Sequence, residues 1–523
     1  MTNPKFRWIG LVFISLGISL IIVDSTIVNV SIPSIIDDLG ITSTQVQWVQ
    51  EAYTLVFAAL LLVFGALADR FGRRRMMVTG VVIFALSSIL CALAQDGDLL
   101  IAARVVQGVG GAMVLPTTLS LVNATFRGKE RAIAFAIWGS TIGGMVAVGP
   151  LLGGWLTTAF SWRWSFGINI PLGIIVIIGV LLFVSESREA QARSIDWAGA
   201  VLSVFTMAAL VFGLIEGRNY GWWTVNHPFT IGDWTWPLDI SIIPFAFAVF
   251  IIGAIWFVLH GKRRQRAGKD PLIAFDLFSI ASFRNGNIAV LIVSMGEFGI
   301  ILALPLWLQF VLGYDALQTG FVLLALAIGA FVASGLAGGL SRRVSAVTMV
   351  RIGLALEIIG VLGVGLMISP DSGWAQVTPF LFLYGMGVGL ATAQLTNVIL
   401  KDVAVEESGQ ASGTQSTSRQ LGSALGIAIL GTILYTSAAG ILSTNLTNEK
   451  LPAEAVDAYT NAVIDSSGAA IQKLEADPKT QPVATVAKSA LSDGTKYSAY
   501  SAAAFLAVGF VATLSLGGRK KDA

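Results

Sequence analysis

Three observations predict an all-α polytopic membrane protein with fourteen spans in two halves. Of its 523 residues, 55% are hydrophobic and only 12% are charged, a composition too apolar for a soluble globular protein. The apolar residues are gathered into runs of about 20, the length that crosses a hydrocarbon core about 30 Å thick. The basic residues fall mainly in alternate connections between these runs. A soluble protein is therefore excluded.

The apolar runs define the predicted spans in chain order. The first follows a short polar start with Lys5 and Arg7. It is too long for the apolar part of a signal peptide and lacks a small-residue cleavage site, so we expect it to remain as an uncleaved span. The predicted spans fall at about residues 9–31, 45–67, 76–95, 99–122, 132–158, 165–184, 197–215, 238–260, 285–311, 318–340, 347–368, 376–400, 413–437 and 498–516.

The connection after the second span orients the chain. Residues 65–76 read Gly-Ala-Leu-Ala-Asp-Arg-Phe-Gly-Arg-Arg-Arg-Met, a tight turn that is rich in arginine. Because Lys and Arg bias short loops to the cytoplasm, we expect this turn and both termini on the inner side of the cytoplasmic membrane. The short loops predicted outside hold only Arg163 and Arg218, which agrees with an even number of spans.

Two longer polar segments divide the chain. The basic segment 261–283 is expected to be a cytoplasmic linker between halves, and 338–345 is a decayed repeat of 65–72. The outer segment 438–497 is either a solvated linker or a structured cap, with Pro452 opening a short amphipathic helix. The predicted divisions are 1–196 for the first six spans, 197–260 for two further helices, 261–283 for the linker and 284–523 for the last six spans.

Few ionisable side chains fall inside the predicted spans. Each costs roughly 2.5–3.5 kcal/mol near the membrane centre, so each requires a partner, a water-filled cavity or a function. Asp24 and Arg104 both lie roughly 8–10 Å inside the outer ends of their spans, so they can meet across a cavity. An acid beside an arginine in low dielectric is poised to gain or lose a proton, which predicts proton coupling at this pair. A static ion pair that holds the bundle is the alternative.

Several function classes are excluded or disfavoured. An ATP-driven pump is excluded because the sequence contains no Gly-x-x-x-x-Gly-Lys-Ser/Thr phosphate cradle. An enzyme is not expected, since His227 and His260 lie in or beside loops without a supporting motif. Cys91 alone permits neither an internal disulfide nor a cysteine metal cluster, and we expect no metal site. The dispersed basic residues argue against nucleic-acid binding.

Besides residues 65–76, the sequence contains an ordered set of motifs that extends over nearly the whole chain. These stretches are Val23 through Pro33, Arg104 with Gln107 and Gly108, Gly143 through Gly154, Trp162 through Phe166 with Asn169 and Pro171, and Gly409 through Gly426. With these motifs on the corresponding helices, the chain resembles the fourteen-helix drug:proton antiporters of the major facilitator superfamily. Residues 65–76 are similar to the superfamily's signature loop between its second and third helices.

This resemblance implies the major facilitator fold, with two six-helix bundles and inserted helices at about 197–215 and 238–260. It also implies alternating access driven by the proton gradient. It puts Glu297 at the cavity of the second bundle as a further proton-coupling candidate. It puts the helix of Glu357 at the periphery, where we expect a protonated or snorkelling side chain. Glu51, at the outer end of the second span, is either hydrated or part of an outer mouth.

The charged turn and the fifth span carry the candidate moving parts. Asp69 is expected to accept hydrogen bonds from a neighbouring helix N-terminus and to complete a charge latch, unless the turn only sets topology. The glycines of the fifth span permit close packing or, by the resemblance, form a hinge and seal. The gating-loop candidates are Gly65, Asp69, Arg70, Gly72, Arg73 and Arg74, and the hinge candidates are Gly149, Pro150, Gly153 and Gly154.

A substrate cavity is expected from aromatic and polar side chains within the spans. Such residues also glue helices or form interfacial belts, so both alternatives stay open. We hypothesise efflux of hydrophobic, cationic compounds in exchange for protons, by a monomer in lipid with no cofactor except the proton. Transport of a native metabolite or lipid precursor is the alternative. The cavity candidates are Tyr53, Trp138, Trp307, Gln309, Phe310, Gln394 and Asn397.

Overall fold

The fold is almost entirely helical. The computed structural model describes residues 4–41, 43–188, 196–231, 234–269, 271–340, 343–404, 407–466 and 468–517. Within these ranges the α-helices are α1 (Pro4–Leu39), α2 (Ser43–Phe71), α3 (Arg73–Ala92), α4 (Gly97–Thr125), α5 (Gly128–Ala159), α6 (Arg163–Gly167), α7 (Asn169–Phe183), α8 (Trp197–Tyr220), α9 (Ile242–Arg266), α10 (Ala281–Phe310), α11 (Ala316–Leu340), α12 (Ala346–Met367), α13 (Trp374–Leu400), α14 (Ser408–Asn448), α15 (Ala453–Asp465), α16 (Ala470–Ala476) and α17 (Gln481–Ala512).

The remaining regular structure of the described ranges is short. Strands β1 (Thr230–Ile231) and β2 (Trp234–Thr235) pair in an antiparallel hairpin between α8 and α9. One 3₁₀ helix, Phe275–Ser279, precedes α10, and another, Thr513–Gly517, follows α17. The predicted linker 261–283 therefore starts within α9, which continues to Arg266 and has a basic last turn.

The helices match the predicted spans. In the described part of the chain, 13 helical stretches are long and apolar enough to cross a membrane, with α6 and α7 counted as one. The 32-residue α5 is not one of these 13, but it coincides with the remaining predicted span, at 132–158. The chain is thus an all-α multi-pass membrane protein, as the composition predicts.

Helix contacts define two groups and a smaller pair. In the first group α1 packs on α5 and α7, α3 on α4 and α7, and α2 on α4. In the second, α10 packs on α14 and α17, α12 on α13 and α17, and α11 on α13. The groups meet where α2 touches α14 and α5 touches α11 and α13. The helices α8 and α9 pack on each other, and α8 also touches α2 and α14. The exact domain divisions stay predictions.

The segment 438–497, predicted as a loop, is largely helical. It contains the last turns of α14, the helices α15 and α16, and the first turns of α17. Pro452 stands at the N-cap of α15, as its position predicts. Hydropathy missed these turns because they are too polar for lipid, yet Val456, Val463 and Ile471 are buried in one hydrophobic cluster with Trp307. The structured cap is therefore the alternative that forms, and we call residues 438–497 the cap.

Candidate functional site

An ion pair between α1 and α4 forms the centre of the first helix group. The Arg104 Nη1 atom lies 2.6 Å from Oδ2 of Asp24, and the two side chains are 2% and 0% exposed. Their similar depths in the predicted spans bring them together. The contact is a direct ion pair inside packed protein, so the two groups are not separated by a cavity in this conformation.

Every oxygen of the Asp24 carboxylate accepts a hydrogen bond. Gln107 and Asn169 donate from their side-chain amides to Oδ1, at 2.8 and 2.7 Å, and Arg104 donates to Oδ2. Arg104 also donates to the Gln107 side chain at 2.5 Å and to the backbone oxygen of Val49 at 3.0 Å. Charge-assisted hydrogen bonds are roughly twice as strong as neutral ones, so this network holds an ionised Asp24 firmly. We call these residues the amino-half acid site.

Tyr53 closes one side of the amino-half acid site. Its ring lies 4.3 Å from the Arg104 guanidinium carbon, a cation–π contact, and the side chain is buried. Among the described residues, its hydroxyl has no hydrogen-bond partner. Tyr53, a predicted cavity residue, therefore shields the ion pair in this conformation. The side chain of Glu51, the neighbouring candidate, lies outside the described residues.

A second acid site lies in the other helix group. Glu297 of α10 accepts a hydrogen bond from Thr392 to Oε1 at 2.9 Å, and its Oε2 lies 3.7 Å from Nη2 of Arg419. Tyr384 donates to the backbone oxygen of Glu297 at 3.1 Å. A separation of 3.7 Å is an ion pair without a hydrogen bond. Within the described chain, Nη1 of Arg419 is buried without a partner.

Glu357 of α12 also packs on α13, at Gly387, between the turns that contact Glu297. It is 0% exposed, so of the two predicted alternatives, a snorkelling or a protonated side chain, snorkelling is excluded. A Cβ atom added at Gly387 would lie 2.5 Å from Cγ of Glu357. The glutamate can therefore pack against α13 because Gly387 has no side chain. A peripheral helix still has an inner face, and Glu357 stands on it. We call Glu297, Glu357, Tyr384, Thr392 and Arg419 the carboxyl-half acid site.

The charged turn after α2 ties the two helix groups together. Asp69 accepts hydrogen bonds from the backbone N–H groups of Gly409 and Gln410, at 2.8 and 2.9 Å, at the N-terminus of α14. Arg73 donates to the same carboxylate from Nε and Nη2, at 3.0 and 2.5 Å. Gly65 packs against α14 so closely that a Cβ atom would lie 2.7 Å from the Gly409 oxygen. The arrangement is the helix-terminus contact that the sequence predicts for Asp69.

Glu186, which the sequence did not identify, completes the turn. Its carboxylate accepts hydrogen bonds from the backbone N–H groups of Arg74 and Arg75, at 3.0 and 3.1 Å, at the first turn of α3. It lies against Gly72, whose φ of +107° is the left-handed conformation that glycine adopts without strain. Arg74 therefore binds within its own helix group, and Arg70 is exposed over the Phe71 ring.

The polar patch of α13 lies at the same end of the bundle, which we call the basic end. Arg131 of α5 donates to Oδ1 of Asn397 at 3.1 Å, and Gln394 donates to the backbone oxygen of Ala132 at 3.1 Å. Asn123 at the end of α4 donates to Ser408 of α14 at 2.8 Å. Gln394 and Asn397, predicted cavity residues, thus join the helix groups here, because the α5 N-terminus lies against the end of α13. The basic end is closed.

The predicted aromatic lining is also packed. Trp138 is buried, and its Nε1 donates to Thr118 at 3.1 Å. Trp307 is fully buried in the cluster it shares with the cap. Gln309 accepts a hydrogen bond at its backbone oxygen from Gln472 of the cap, and Phe310 lies beside Gly468. Lining of a cavity by these residues stays a prediction for another conformation.

The glycines of α5 face two partners. Gly153 packs on α1, where a Cβ atom would lie 2.8 Å from the Ile27 side chain, and Gly149 packs on Thr26 of the same helix. Gly154 faces Leu317 of α11, and Pro150 lies inside α5. Close packing therefore accounts for the glycines in this state, and a hinge stays a prediction.

Like Glu186, Arg419 and Asn169 are functional candidates that the residue analysis did not single out. A charge count within the predicted span at 413–437 finds Arg419 as its intramembrane arginine. Asn169 carries no charge, so only the folded arrangement of α1, α4 and α7 reveals its bond to Asp24.

Comparison with known proteins gives a consistent result. The sequence profile of the Major Facilitator Superfamily matches residues 14–225 and 197–427. The puromycin resistance protein pur8 of Streptomyces alboniger is 33% identical over 476 residues, 89% of each chain. The multidrug resistance protein Stp of Mycobacterium tuberculosis is 32% identical over 517 residues, 97% of this chain and 91% of that protein.

A further relative and a solved structure agree with these matches. The probable actinorhodin transporter of Streptomyces coelicolor is 33% identical over 454 residues, 84% of this chain and 74% of that protein. The crystal structure of the human organic anion transporter MFSD10 (TETRAN) aligns with a TM-score of 0.61 at 13% identity, covering 98% of this chain and 100% of that chain. At that identity the likeness concerns the fold alone.

Proposed function

The chain belongs to the major facilitator superfamily, in its family of drug:proton antiporters, and we propose that it exports hydrophobic, cationic drugs or toxic compounds in exchange for protons. It is a multi-pass membrane transporter. The observation that carries the proposal is the carboxyl-half acid site, where the buried Glu297 lies 3.7 Å from Arg419 within the membrane spans. Buried membrane acids are costly, and proton relays are among their common functions.

The names of the relatives support drugs as the substrate class. Two of them are named for resistance, one to puromycin and one to multiple drugs, and the chain covers most of both proteins. A hydrophobic cation is the substrate that competes most directly with protons for an acid in an apolar site, since both neutralise the carboxylate. Lipid surrounds the protein, a single chain is the working unit, and the proton is the one coupling species in this proposal.

The closed basic end supports alternating access. Asp69 with α14, and Arg131 with α13, connect the helix groups at that end. We take this end and both termini as cytoplasmic, because it carries the arginine-rich turn. The conformation is then closed to the cytoplasm, and inward opening requires these hydrogen bonds to break. Loading of substrate or proton supplies that energy by favouring one state over the other.

Proton release on substrate binding tests the proposal. Ethidium is added to purified protein in weakly buffered detergent, and the pH change is recorded for wild type, Asp24→Asn and Glu297→Gln. We expect wild type to release protons, and Glu297→Gln to lose the release while it still binds ethidium. Glu454→Gln is the control, because Glu454 is exposed on α15 and should leave the release unchanged.

Two results would contradict the proposal in different ways. If wild type binds ethidium without releasing protons, competition between proton and substrate is wrong for this ligand. If wild type does not bind ethidium at all, the cationic-drug substrate is wrong, and transport of a native metabolite becomes the better account.

A further inference from the structure

Glu357 differs from Asp24, the other fully buried acid described above, in the bonding of its carboxyl group. Its side chain is 0% exposed, and among the described residues neither carboxyl oxygen has a hydrogen-bond partner. Asp24, which is equally buried, has a donor on each oxygen. An ionised carboxylate without hydrogen bonds costs far more to bury than a neutral carboxyl group. Glu357 is therefore held as a neutral acid in this conformation.

The charged groups near Glu357 are few. Gly387 of α13 lies beneath it, and the neighbouring turns of α13 bind Glu297 through Tyr384 and Thr392. Glu297 and Arg419 are the charged groups within electrostatic range of Glu357. The two acids thus approach one segment of α13 from α12 and α10, and Arg419 contacts Glu297 there.

Apart from the Tyr384 hydroxyl, which donates to the backbone oxygen of Glu297, no other ionisable side chain competes at this site in the described chain. On α12 itself the other charge is Arg351, whose Nη2 donates to the backbone of Thr513 at 3.2 Å. The α17 segment that covers α12 between its contacts at Tyr500 and Thr513 contains only uncharged residues from Ser501 to Ala512. One arginine therefore serves two glutamates.

We propose that Glu297 and Glu357 share one proton and alternate as partners of Arg419. The first state of this exchange has the charge on Glu297, which lies 3.7 Å from Arg419, and the proton on Glu357. When Glu297 accepts a proton, Arg419 turns to Glu357, whose O–H bond breaks and whose proton leaves. The pair with Arg419 stays neutral, because one proton arrives as one departs. Its role in transport rests on the proposed proton coupling.

The orphaned Nη1 of Arg419 supports this exchange. Arginine presents donors in a rigid fork that two carboxylate oxygens can fill. Glu297 accepts only a loose contact at 3.7 Å from that fork, so part of it is left for a second acceptor. If Glu297 bound all the donors of the Arg419 guanidinium group, no donor would be left for Glu357 in any state.

Infrared spectroscopy of purified protein tests the shared proton without any transport. The carbonyl band of protonated carboxyl groups is compared at neutral pH in wild type, Glu357→Gln, Glu297→Gln and Arg419→Gln. We expect Glu357→Gln to remove one group's intensity. Glu297→Gln should remove the same intensity, because Glu357 then ionises to neutralise Arg419. Arg419→Gln should add one group's intensity, since both acids become neutral.

The outcomes separate this inference from the proposed function. If Glu357→Gln removes the carbonyl band but Glu297→Gln leaves it in place, Glu357 is a neutral acid that does not respond to Glu297. That result would overturn the exchange. Absence of any Glu357 band in wild type would overturn it as well. Glu216→Gln is a matched control, because Glu216 is also a buried glutamate but lies on α8, and its change should not alter the response to Glu297→Gln.

Transport in proteoliposomes then connects the pair to function. With a pH gradient and a clamped membrane potential, Glu357→Gln should slow ethidium transport about tenfold or more while ethidium binding changes less than about twofold. Wild-type transport that ignores the pH gradient would contradict the proposed function and leave the infrared result intact. Unchanged transport in Glu357→Gln, beside a coupled wild type, would contradict the exchange alone.

Discussion

The two acid sites use the same residue types but differ in how completely the acid is bonded. Asp24 has three donors on its two oxygens, and its arginine is held by Val49 and Gln107 as well. Glu297 has one hydrogen bond from Thr392 and a loose contact with Arg419. From this comparison we infer that burial beside an arginine does not by itself make an acid a proton carrier. The number of donors decides whether the carboxylate is fixed or free to exchange.

The difference arises from the neighbouring side chains. In the amino half, the amides of Gln107 and Asn169 satisfy the oxygen that the arginine leaves free. In the carboxyl half, the Thr392 hydroxyl is the hydrogen-bond donor to the Glu297 carboxylate among the described residues, and a second acid, Glu357, packs on the same helix, α13. We infer that the amino-half acid site mainly holds α1, α4 and α7 together, whereas the carboxyl-half acid site exchanges protons.

Removing each arginine gives the largest expected contrast. Arg104→Gln leaves a buried ionised Asp24, and breaking such a pair typically costs about 3–5 kcal/mol of stability. Arg419→Gln should cost only about 1–3 kcal/mol. Glu297 then becomes neutral, as Glu357 already is, and the contact that is lost is the 3.7 Å one between Arg419 and Glu297. The free energy of unfolding is measured by denaturant titration in mixed micelles. Equal losses in the two variants would contradict the difference between the sites.

Removing one neutral donor from each site gives a smaller contrast. Asn169→Leu takes a 2.7 Å hydrogen bond from Asp24 and should cost about 1–3 kcal/mol, since a buried charge loses a donor. Thr392→Val keeps the shape of the side chain and removes the single hydrogen bond to the Glu297 carboxylate. It should cost about 1 kcal/mol or less, because protonation can relieve the acid.

The same two variants separate stability from transport. Thr392→Val should change the pH dependence of ethidium transport, whereas Asn169→Leu should lower the amount of folded protein without changing that dependence. A shifted pH profile in Asn169→Leu alone would reverse our assignment of the exchanging site.

The sequence predicted the spans and the depth of the amino-half acid site well. Apolar runs report where helices cross lipid, and Asp24 and Arg104 were placed at similar depth by counting residues alone. The contact of Asp69 with a helix N-terminus also followed from local chemistry. These features depend on composition and on position along single helices, which the sequence contains directly.

Features that depend on distant packing were missed or misplaced. Hydropathy predicted a loop at 438–497, because polar turns of α14 and α17 pack on protein instead of lipid. Trp307 was then assigned to a cavity, although the cap covers it. Glu357 was placed at the periphery because the resemblance gives the position of its helix in the bundle. It does not give the rotation of that helix about its own axis, which decides where the side chain points. Rotation and cap packing are decided by contacts between residues far apart in the chain.

An exposed acid–arginine pair gives the smallest effect and a reference for both buried sites. Asp38 is hydrogen-bonded by Arg163 and by Trp162 near the C-terminal end of α1. These hydrogen bonds, that of Arg163 first, hold the pKa of Asp38 below its ordinary value of 3.8. Because the folded pKa is lowered, the pair stabilises the protein above pH 3.8, and this contribution is lost as the pH falls through the folded pKa.

Asp38→Asn should therefore lower the thermal unfolding midpoint slightly at pH 7, and by less at about 1 M salt, where charges are screened within about 3 Å. The difference from wild type should vanish in acid, once wild-type Asp38 is protonated too. Asp24→Asn should keep its larger effect at high salt, because water and ions do not reach that pair. If salt reduced both effects equally, burial would not be what distinguishes the membrane acids from this surface pair.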